Sequence, residues 1–199
     1  MDAMEESLSY SMTGLADSAR PAREGHRVDD IHRPADGFRL ARTHYPLRDI
    51  HKFKGVDQLR KLLAAWYDSF HDDWLPREID PWTLKSIGLL GDVHIVDTRG
   101  PSSDSWWFRL YGTGSRFYGG RDFTRARISE FDIGTYANAT RDDYSTVIHT
   151  GLPKFQFLHT MTKLSVSNRY RLILPLSSEG DMVDKLLVAW SYTRVHPID

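Results

Sequence analysis

The uninterrupted apolar run at residues 186–189 constrains the fold more than any other feature of the chain. Side chains of a strand alternate between its two faces, so a strand that borders water on one side carries polar residues at every second position. This run has no polar residue, and it lies in a segment predicted as the last strand, over residues 185–192. The sheet that contains it is therefore expected to be covered on both faces.

A helix predicted over residues 56–70 is the candidate for one of the two covers. Its apolar residues recur at spacings of three and four, which places them on one wide stripe. The stripe consists of Val56, Leu59, Leu62, Leu63, Trp66, Tyr67 and Phe70. It can pack on the chain's own core or serve a homodimer through helix 56–70, and the sequence leaves both uses open.

Four more segments have the character of strands and lie between turn signals. They are predicted over residues 93–98, 106–111, 154–161 and 169–176. A short helix over residues 82–87 follows Asp80-Pro81, an N-cap residue with proline at the first helical position. This order predicts an α+β fold in which a five-stranded antiparallel sheet carries short helices on one face and is preceded by an amphipathic helix.

A longer helix is predicted to begin at Thr140 and to end at Gly151. Thr140 and Asp143 resemble a capping box with Asp in the place of Glu, and glycine commonly stands just beyond a helix end. Asp143 and its neighbour Asp142 are interpreted as charges at a helix end. Neighbours in sequence point in different directions on a helix, so these two carboxylates are not expected to converge on a site.

Residues 1–45 are predicted to form a flexible tail ahead of a domain at 46–199. Large apolar residues are sparse in the tail, so it cannot bury enough surface to offset its ordering entropy, and only a short ordered piece around 38–45 is anticipated. The net charge of −1 gives no general attraction to nucleic acid, and no window approaches the roughly 18 apolar residues of a membrane span. The absence of cysteine and the acidic N-terminus favour a cytoplasmic location.

Four phrases follow one another along residues 56–195: PREIDPWTLKSIGLLGDVHIVDT, FRLYGTGSRFYGGRDFT, YSTVIHTGLP and YRLILPLSSEGDMVDKLLVAWSY. In this order they resemble the single-domain PAS proteins of alphaproteobacteria. In that family a glycine usually stands where this chain has Arg125. The resemblance implies a sensory or regulatory module of bacterial signal transduction, not an enzyme, that binds a small ligand or a signalling protein partner and dimerises through its leading helix. A pure interaction module with a closed pocket and a small enzyme on an α+β cone-like fold are the alternatives.

Aromatic and histidine side chains of the domain are the candidates for a ligand pocket between the sheet and the short helices. Aromatic rings offer a large contact area to planar ligands, and a neutral imidazole is a good axial ligand for haem iron. The candidates are Phe108, Tyr111, Phe117, Phe123, His149, Phe157 and His159. Packing in the core explains most of them equally well, and a histidine in the last helical turn is also favoured by the helix dipole. The cofactor stays unidentified, and no metal site is predicted.

The loop after the second predicted strand carries glycines and arginines. The glycines lack the third position of a dinucleotide fingerprint, and no Gly-Lys-Ser/Thr follows them, so a phosphate loop is excluded. Arg121 and Arg125 are the candidates for anion binding, because two guanidinium groups can hold a phosphate through bidentate hydrogen bonds. A solvated basic loop is the alternative. No G-x-S-x-G or H-E-x-x-H sequence occurs, and no catalytic residue is predicted.

Overall fold

One antiparallel sheet forms the centre of the fold. The computed structural model describes residues 27–32, 39–72, 74–115, 122–130, 134–161 and 165–197. The strands are β1 (Arg27–His32), β2 (Arg39–Tyr45), β3 (Val93–Asp97), β4 (Trp107–Tyr111), β5 (Lys154–Met161), β6 (Ser165–Leu176) and β7 (Lys185–Pro197). They lie in the order β1-β2-β5-β6-β7-β3-β4. The α+β class and the antiparallel sheet agree with the sequence prediction.

The sheet has seven strands, where five were predicted. All five predicted strands are present, and the two additional ones, β1 and β2, lie inside the segment predicted as a tail. β2 coincides with the ordered piece anticipated around 38–45 and pairs with β5 from Arg39↔Met161 to Tyr45↔Phe155. Only Leu40 of β2 is buried. Backbone pairing to the edge of β5, rather than apolar content, therefore holds this strand. Residues 1–26 and 33–38 of the predicted tail lie outside the described residues.

In the described part of the chain, three α-helices accompany the sheet: α1 (Asp57–Asp68), α2 (Pro81–Ser86) and α3 (Gly134–Thr150). α2 begins as predicted, because the Asp80 carboxylate accepts a hydrogen bond from the backbone N–H of Thr83 and Pro81 occupies the first helical position. Gly151, at φ +65°, follows the last residue of α3, and its N–H donates to the carbonyl of Val147. The end of this helix is therefore where the sequence placed it.

The beginning of α3 corrects the sequence prediction. The helix starts at Gly134, six residues before Thr140, so Thr140 and Asp143 do not form a capping box. Both side chains lie in the middle of the helix, and both are buried. Asp143 is thus not a charge at a helix end but an ionised group that faces the sheet.

The sheet is covered on both faces, as the run at residues 186–189 predicts. Leu186 and Val188 belong to the core beneath α3, whereas Leu187 and Ala189 belong to the core beneath α1. Trp66 of α1 is buried, and its indole N–H donates to the carbonyl of Pro175 at 2.8 Å. α1 is therefore the second cover.

Packing of α1 on the sheet accounts for most of its apolar stripe. Leu59, Leu62 and Leu63 are buried by their own chain, and Tyr67 and Phe70 pack against the same core but are only partly buried. The stripe therefore serves the chain's own core. A homodimer through helix 56–70 stays a prediction.

Arg125 adopts a backbone conformation that glycine favours. Its φ is +71°, and its N–H donates to the carbonyl of Phe108 at 2.7 Å, which fixes the bend after β4. The left-handed conformation costs a residue with a Cβ atom about 1–2 kcal/mol. Glycine is the residue that this bend would favour.

Replacing Arg125 by glycine is therefore expected to raise the free energy of unfolding by about 0.5–1 kcal/mol, since relief of the strain exceeds the added entropy of the unfolded chain. Chemical denaturation measures the change. Arg127→Gly is the matched control, because Arg127 is also exposed and has no positive φ. That variant is expected to lose about 0.5–1 kcal/mol. Equal losses in both variants would contradict a strained Arg125.

Candidate functional site: a small cavity beneath helix α3

A small cavity lies between α3 and the sheet. Its volume is about 20 Å³, which is room for about one water molecule. The described side chains that line it come from β3, β4, α3, β6, β7 and the loop before α3. They are His94, Phe108, Tyr111, Ile128, Tyr136, Ala137, Thr140, Tyr144, Arg169 and Trp190. Binding sites for drug-sized ligands are typically 300–1,000 Å³, so the cavity in this conformation holds no flavin or haem.

Helical periodicity and strand register bring the lining residues together. Tyr136, Thr140 and Tyr144 recur every four residues and share one face of α3. Across the sheet, His94 pairs with Tyr111, and Arg171 pairs with Trp190. Helices and strands therefore provide most of the lining and fix the positions of its side chains.

His94 is the buried histidine of the site. Its Nδ1 accepts a hydrogen bond from the backbone N–H of Gly112 at 3.1 Å, and its ring stacks on Tyr111 with centroids 4.1 Å apart. Burial, together with the positive charges of Arg169 and Arg171, lowers the pKa of His94 to about 3. The imidazole is therefore neutral at physiological pH. Because Nδ1 is an acceptor, the proton of the neutral ring is on Nε2.

Asp143 gathers several cationic side chains beneath α3. Its carboxylate forms ion pairs with Arg171, with Lys154 at 2.6 Å and with Arg42 at 3.1 Å, and it accepts a hydrogen bond from Gln156 at 3.1 Å. Burial alone raises the pKa of a carboxyl group, but the three cations outweigh it and hold the pKa of Asp143 at about 2. The group is a stable anion that ties α3 to three strands of the sheet.

Two buried guanidinium groups flank the indole of Trp190. Arg169 lies 5.0 Å and Arg171 5.3 Å from the centre of the Trp190 ring, within the range of a cation–π contact. Their exposed fractions are 2% and 0%. Arg171 also lies 5.9 Å from the ring of Tyr144, and burial raises the pKa of that phenol. The floor of the cavity is consequently both aromatic and strongly cationic.

Several buried polar atoms at this place have no hydrogen-bond partner among the described residues. They are Oγ1 of Thr140, Nε1 of Trp190 and Nη1 of Arg171. Thr140 and Trp190 line the cavity directly, and Arg171 lies beside it. A buried donor or acceptor without a partner costs about 1–3 kcal/mol, so each such group in a folded protein requires an explanation.

The structure places three of the predicted pocket residues at this site. Phe108 and Tyr111 line the cavity, and Phe123 packs behind Tyr111 with ring centroids 5.3 Å apart. Phe117 and Arg121 lie outside the described residues. Arg125 is exposed. Within the part of the chain that the structure describes, the proposed arginine fork therefore has no geometry to support it.

The remaining predicted pocket residues lie away from the cavity. His149 is exposed on α3, where its Nδ1 lies 2.6 Å from the carbonyl oxygen of Ser145. Phe157 and His159 belong to β5 but lie on the face that α1 covers, where Phe157 packs on Tyr170 and His159 contacts Asn168 at 2.6 Å. The alternation of the strand was predicted correctly, but the sequence did not show which of the two covered faces holds the cavity.

Sequence reasoning did not list His94 among the pocket residues, did not single out Arg169 and Arg171, and assigned Asp143 to a helix end. The signal was present in Arg169 and Arg171, which lie two positions apart on a strand predicted inside a doubly covered sheet. Such a pair has to be buried on one face, and buried charges require partners. The acidic partner, Asp143, was not recognised because a helix that begins at Thr140 places this residue at a helix end.

Within the described ranges, no group of three or more His, Cys, Asp or Glu side chains is arranged to hold a metal ion. No helix in the described part of the chain has the length and apolar character to cross a membrane.

Comparison with known proteins adds no relative from which a role could be transferred. No family model matches the chain, no curated protein matches it, and no solved structure matches it.

Proposed function

We propose that this chain is a PAS-like regulatory module that acts by binding, and that its ligand site is the cavity beneath α3. The observation that carries the proposal is that Thr140 and Trp190, which line the cavity, each have a buried polar atom without a hydrogen-bond partner among the described residues. Buried polar groups in folded proteins are almost always paired with protein or ordered water, so these atoms favour an occupant.

The arrangement of the sheet supports the PAS-like interpretation. Counted among themselves, the five strands from β3 onward lie in the order 2-1-5-4-3, with α3 placed between the second and the third. The PAS resemblance implies a ligand between the sheet and the helices on one face, and the cavity lies between α3 and the sheet.

Signalling by this module would use the contact between α3 and the sheet. The ion pairs of Asp143 hold α3 against strands β2, β5 and β6, and the cavity lies beside them. A ligand that binds one packing of this interface better than another shifts the population toward it, by no more than its difference in affinity. The changed surface of α3 is what a signalling partner would recognise.

Native mass spectrometry and absorbance of the purified full chain test the proposal, with Ala137→Val as the blocking variant. Ala137 lines the cavity, so two added methyl groups occupy the ligand's space. We expect a bound small molecule, or a rise in unfolding temperature with a member of a metabolite panel, and loss of either in the variant.

Ala65→Val on α1 is the matched control for this experiment, because it places the same β-branched residue in a helix on the other face of the sheet. It is expected to keep the ligand and to share the small helix-propensity cost. Absence of any ligand-dependent shift in the wild type, or an equal response in both variants, would refute a ligand site beneath α3.

A second candidate is an interaction module whose pocket stays closed. The small cavity volume favours it, and so do the large side chains of Trp74, Trp82 and Met182, which are exposed. In that case Ala137→Val leaves partner capture unchanged, whereas Trp82→Ala weakens it. The PAS resemblance also implies a homodimer through helix 56–70, which light scattering of the purified chain measures.

We further propose that the chain is not an enzyme and that it acts in the cytoplasm. His94 is the titratable imidazole at the cavity, and its pKa of about 3 makes it a weak base at neutral pH. An efficient general base has a pKa near the working pH. The cytoplasmic proposal rests on the lack of cysteine, which suits a reducing compartment.

A further inference from the structure

We propose that the cavity beneath α3 binds a small monovalent carboxylate of about the size of formate or acetate. The inference rests on the proposed function, since it names the ligand class of the same site. It is carried by the chemistry of the atoms around the cavity, by the charge beneath it and by its volume.

The atoms without partners are mostly obligate donors. An indole N–H and the N–H groups of a guanidinium can donate a hydrogen bond but cannot accept one, and a threonine hydroxyl can donate. Trp190 and Thr140 line the cavity, and Nη1 of Arg171 lies beside it. The neutral ring of His94 adds an Nε2–H. The occupant that satisfies such a set is an acceptor.

The charge beneath the cavity favours an anion over a neutral acceptor. Two carboxylates are buried among the described residues: Asp97 pairs with Arg99, and Asp143 is shared by Arg171, Lys154 and Arg42. Among the described residues, cations thus outnumber anions around Asp143, and the charges of Arg169 and Arg171 act together with burial to lower the pKa of His94 at the cavity wall. In a water-poor interior this potential is screened little.

The volume of the cavity limits the size of the anion. About 20 Å³ accommodates one water-sized group, so even the smallest carboxylates enter only if α3 moves slightly away from the sheet, and each added heavy atom requires more movement. A phosphate ester or a sugar acid exceeds the cavity volume by much more. The aromatic walls of Phe108 and Tyr111 exclude bulk water from the bound group. Formate and acetate are therefore the probes of choice.

The test is a titration of the purified full chain, followed by unfolding temperature and by tryptophan fluorescence. Sodium formate and sodium acetate are compared with sodium gluconate, which has the same charge and head group but is too large, and with formamide, which has nearly the same shape and no charge. We expect a saturable rise in unfolding temperature with formate or acetate and no such rise with gluconate or formamide.

Thr140→Val locates the binding, because it removes the hydroxyl group and keeps the shape of the side chain. Its affinity for the anion is expected to fall about tenfold or more, as for the loss of a hydrogen bond to a charged group. Thr146→Val is the matched control: Thr146 is on the same helix, is exposed and donates to the carbonyl of Asp142. It is expected to keep the affinity of the wild type.

The possible results separate this inference from the proposed function. Equal effects of formate and gluconate, or equal affinities of the two threonine variants, would overturn the anion site. If another ligand binds the wild type and Ala137→Val abolishes that binding, the proposed function stands and only the ligand class fails. If formate does not shift the unfolding temperature and no ligand is lost in Ala137→Val, both proposals fail, and the cavity holds a water molecule.

Discussion

Replacing Asp143 by asparagine is expected to lower the free energy of unfolding by about 3–5 kcal/mol, which is the usual cost of breaking a buried ion pair by removing one partner. The variant keeps the shape of the side chain but removes the negative charge that Arg171, Lys154 and Arg42 share. Arg171 has no access to solvent and cannot escape to water. Urea denaturation of both proteins at neutral pH measures the loss.

Asp142→Asn is the matched control for this prediction. Asp142 is the preceding residue of α3 but is exposed. Surface substitutions of this kind usually change stability by less than about 0.5 kcal/mol. A similar loss in the two variants would mean that charge on α3, rather than the buried network, determines stability.

The double variant Asp143→Leu with Arg171→Met separates the stability that the intact network contributes from the stability that is lost when only one partner is removed. Apolar residues of similar volume that replace both partners of a buried ion pair are often neutral or stabilising. Arg42 and Lys154 are partly exposed and can turn toward water once the carboxylate is gone. The double variant is therefore expected to be more stable than Asp143→Asn, and a larger loss would contradict this account.

The regular elements were predictable because their patterns are local. A stripe at helical spacing identified α1, and alternation with turn signals identified the five strands from β3 onward. The apolar run at residues 186–189 even required the second cover, which α1 provides. β2 was only partly anticipated, since its residues are mostly half-buried and its place in the sheet comes from pairing with β5, a partner more than a hundred residues away.

The site was less predictable, because it depends on which face of the sheet each element covers. Phe157 and His159 were assigned to the pocket from their shared strand face, but α1 covers that face. Asp143 was assigned to a helix end because a single residue pair resembled a cap. Long-range ion pairs such as Asp143 with Arg171 leave no local pattern, and only buried charges on a doubly covered strand point to them.

A second prediction with a large effect concerns His94 and the dependence of stability on pH. The imidazole is neutral in the folded protein, where its pKa is about 3, but its ordinary value is 6.5. As the pH falls below 6.5, the unfolded chain binds a proton at this residue that the folded protein does not bind. The folded state therefore loses stability on acidification, by up to about 1.4 kcal/mol for each pH unit from this group alone.

The variant His94→Asn isolates this contribution, because its amide oxygen can accept the hydrogen bond from Gly112 and its side chain does not titrate. Urea midpoints of the wild type and the variant are compared between pH 6.5 and 3.8, above the range in which Asp143 takes up its proton. The wild type is expected to lose stability more steeply on acidification, even if the variant is less stable at neutral pH. Parallel curves would mean that the folded protein accommodates a charged imidazole at this position, which the two guanidinium groups beside it oppose.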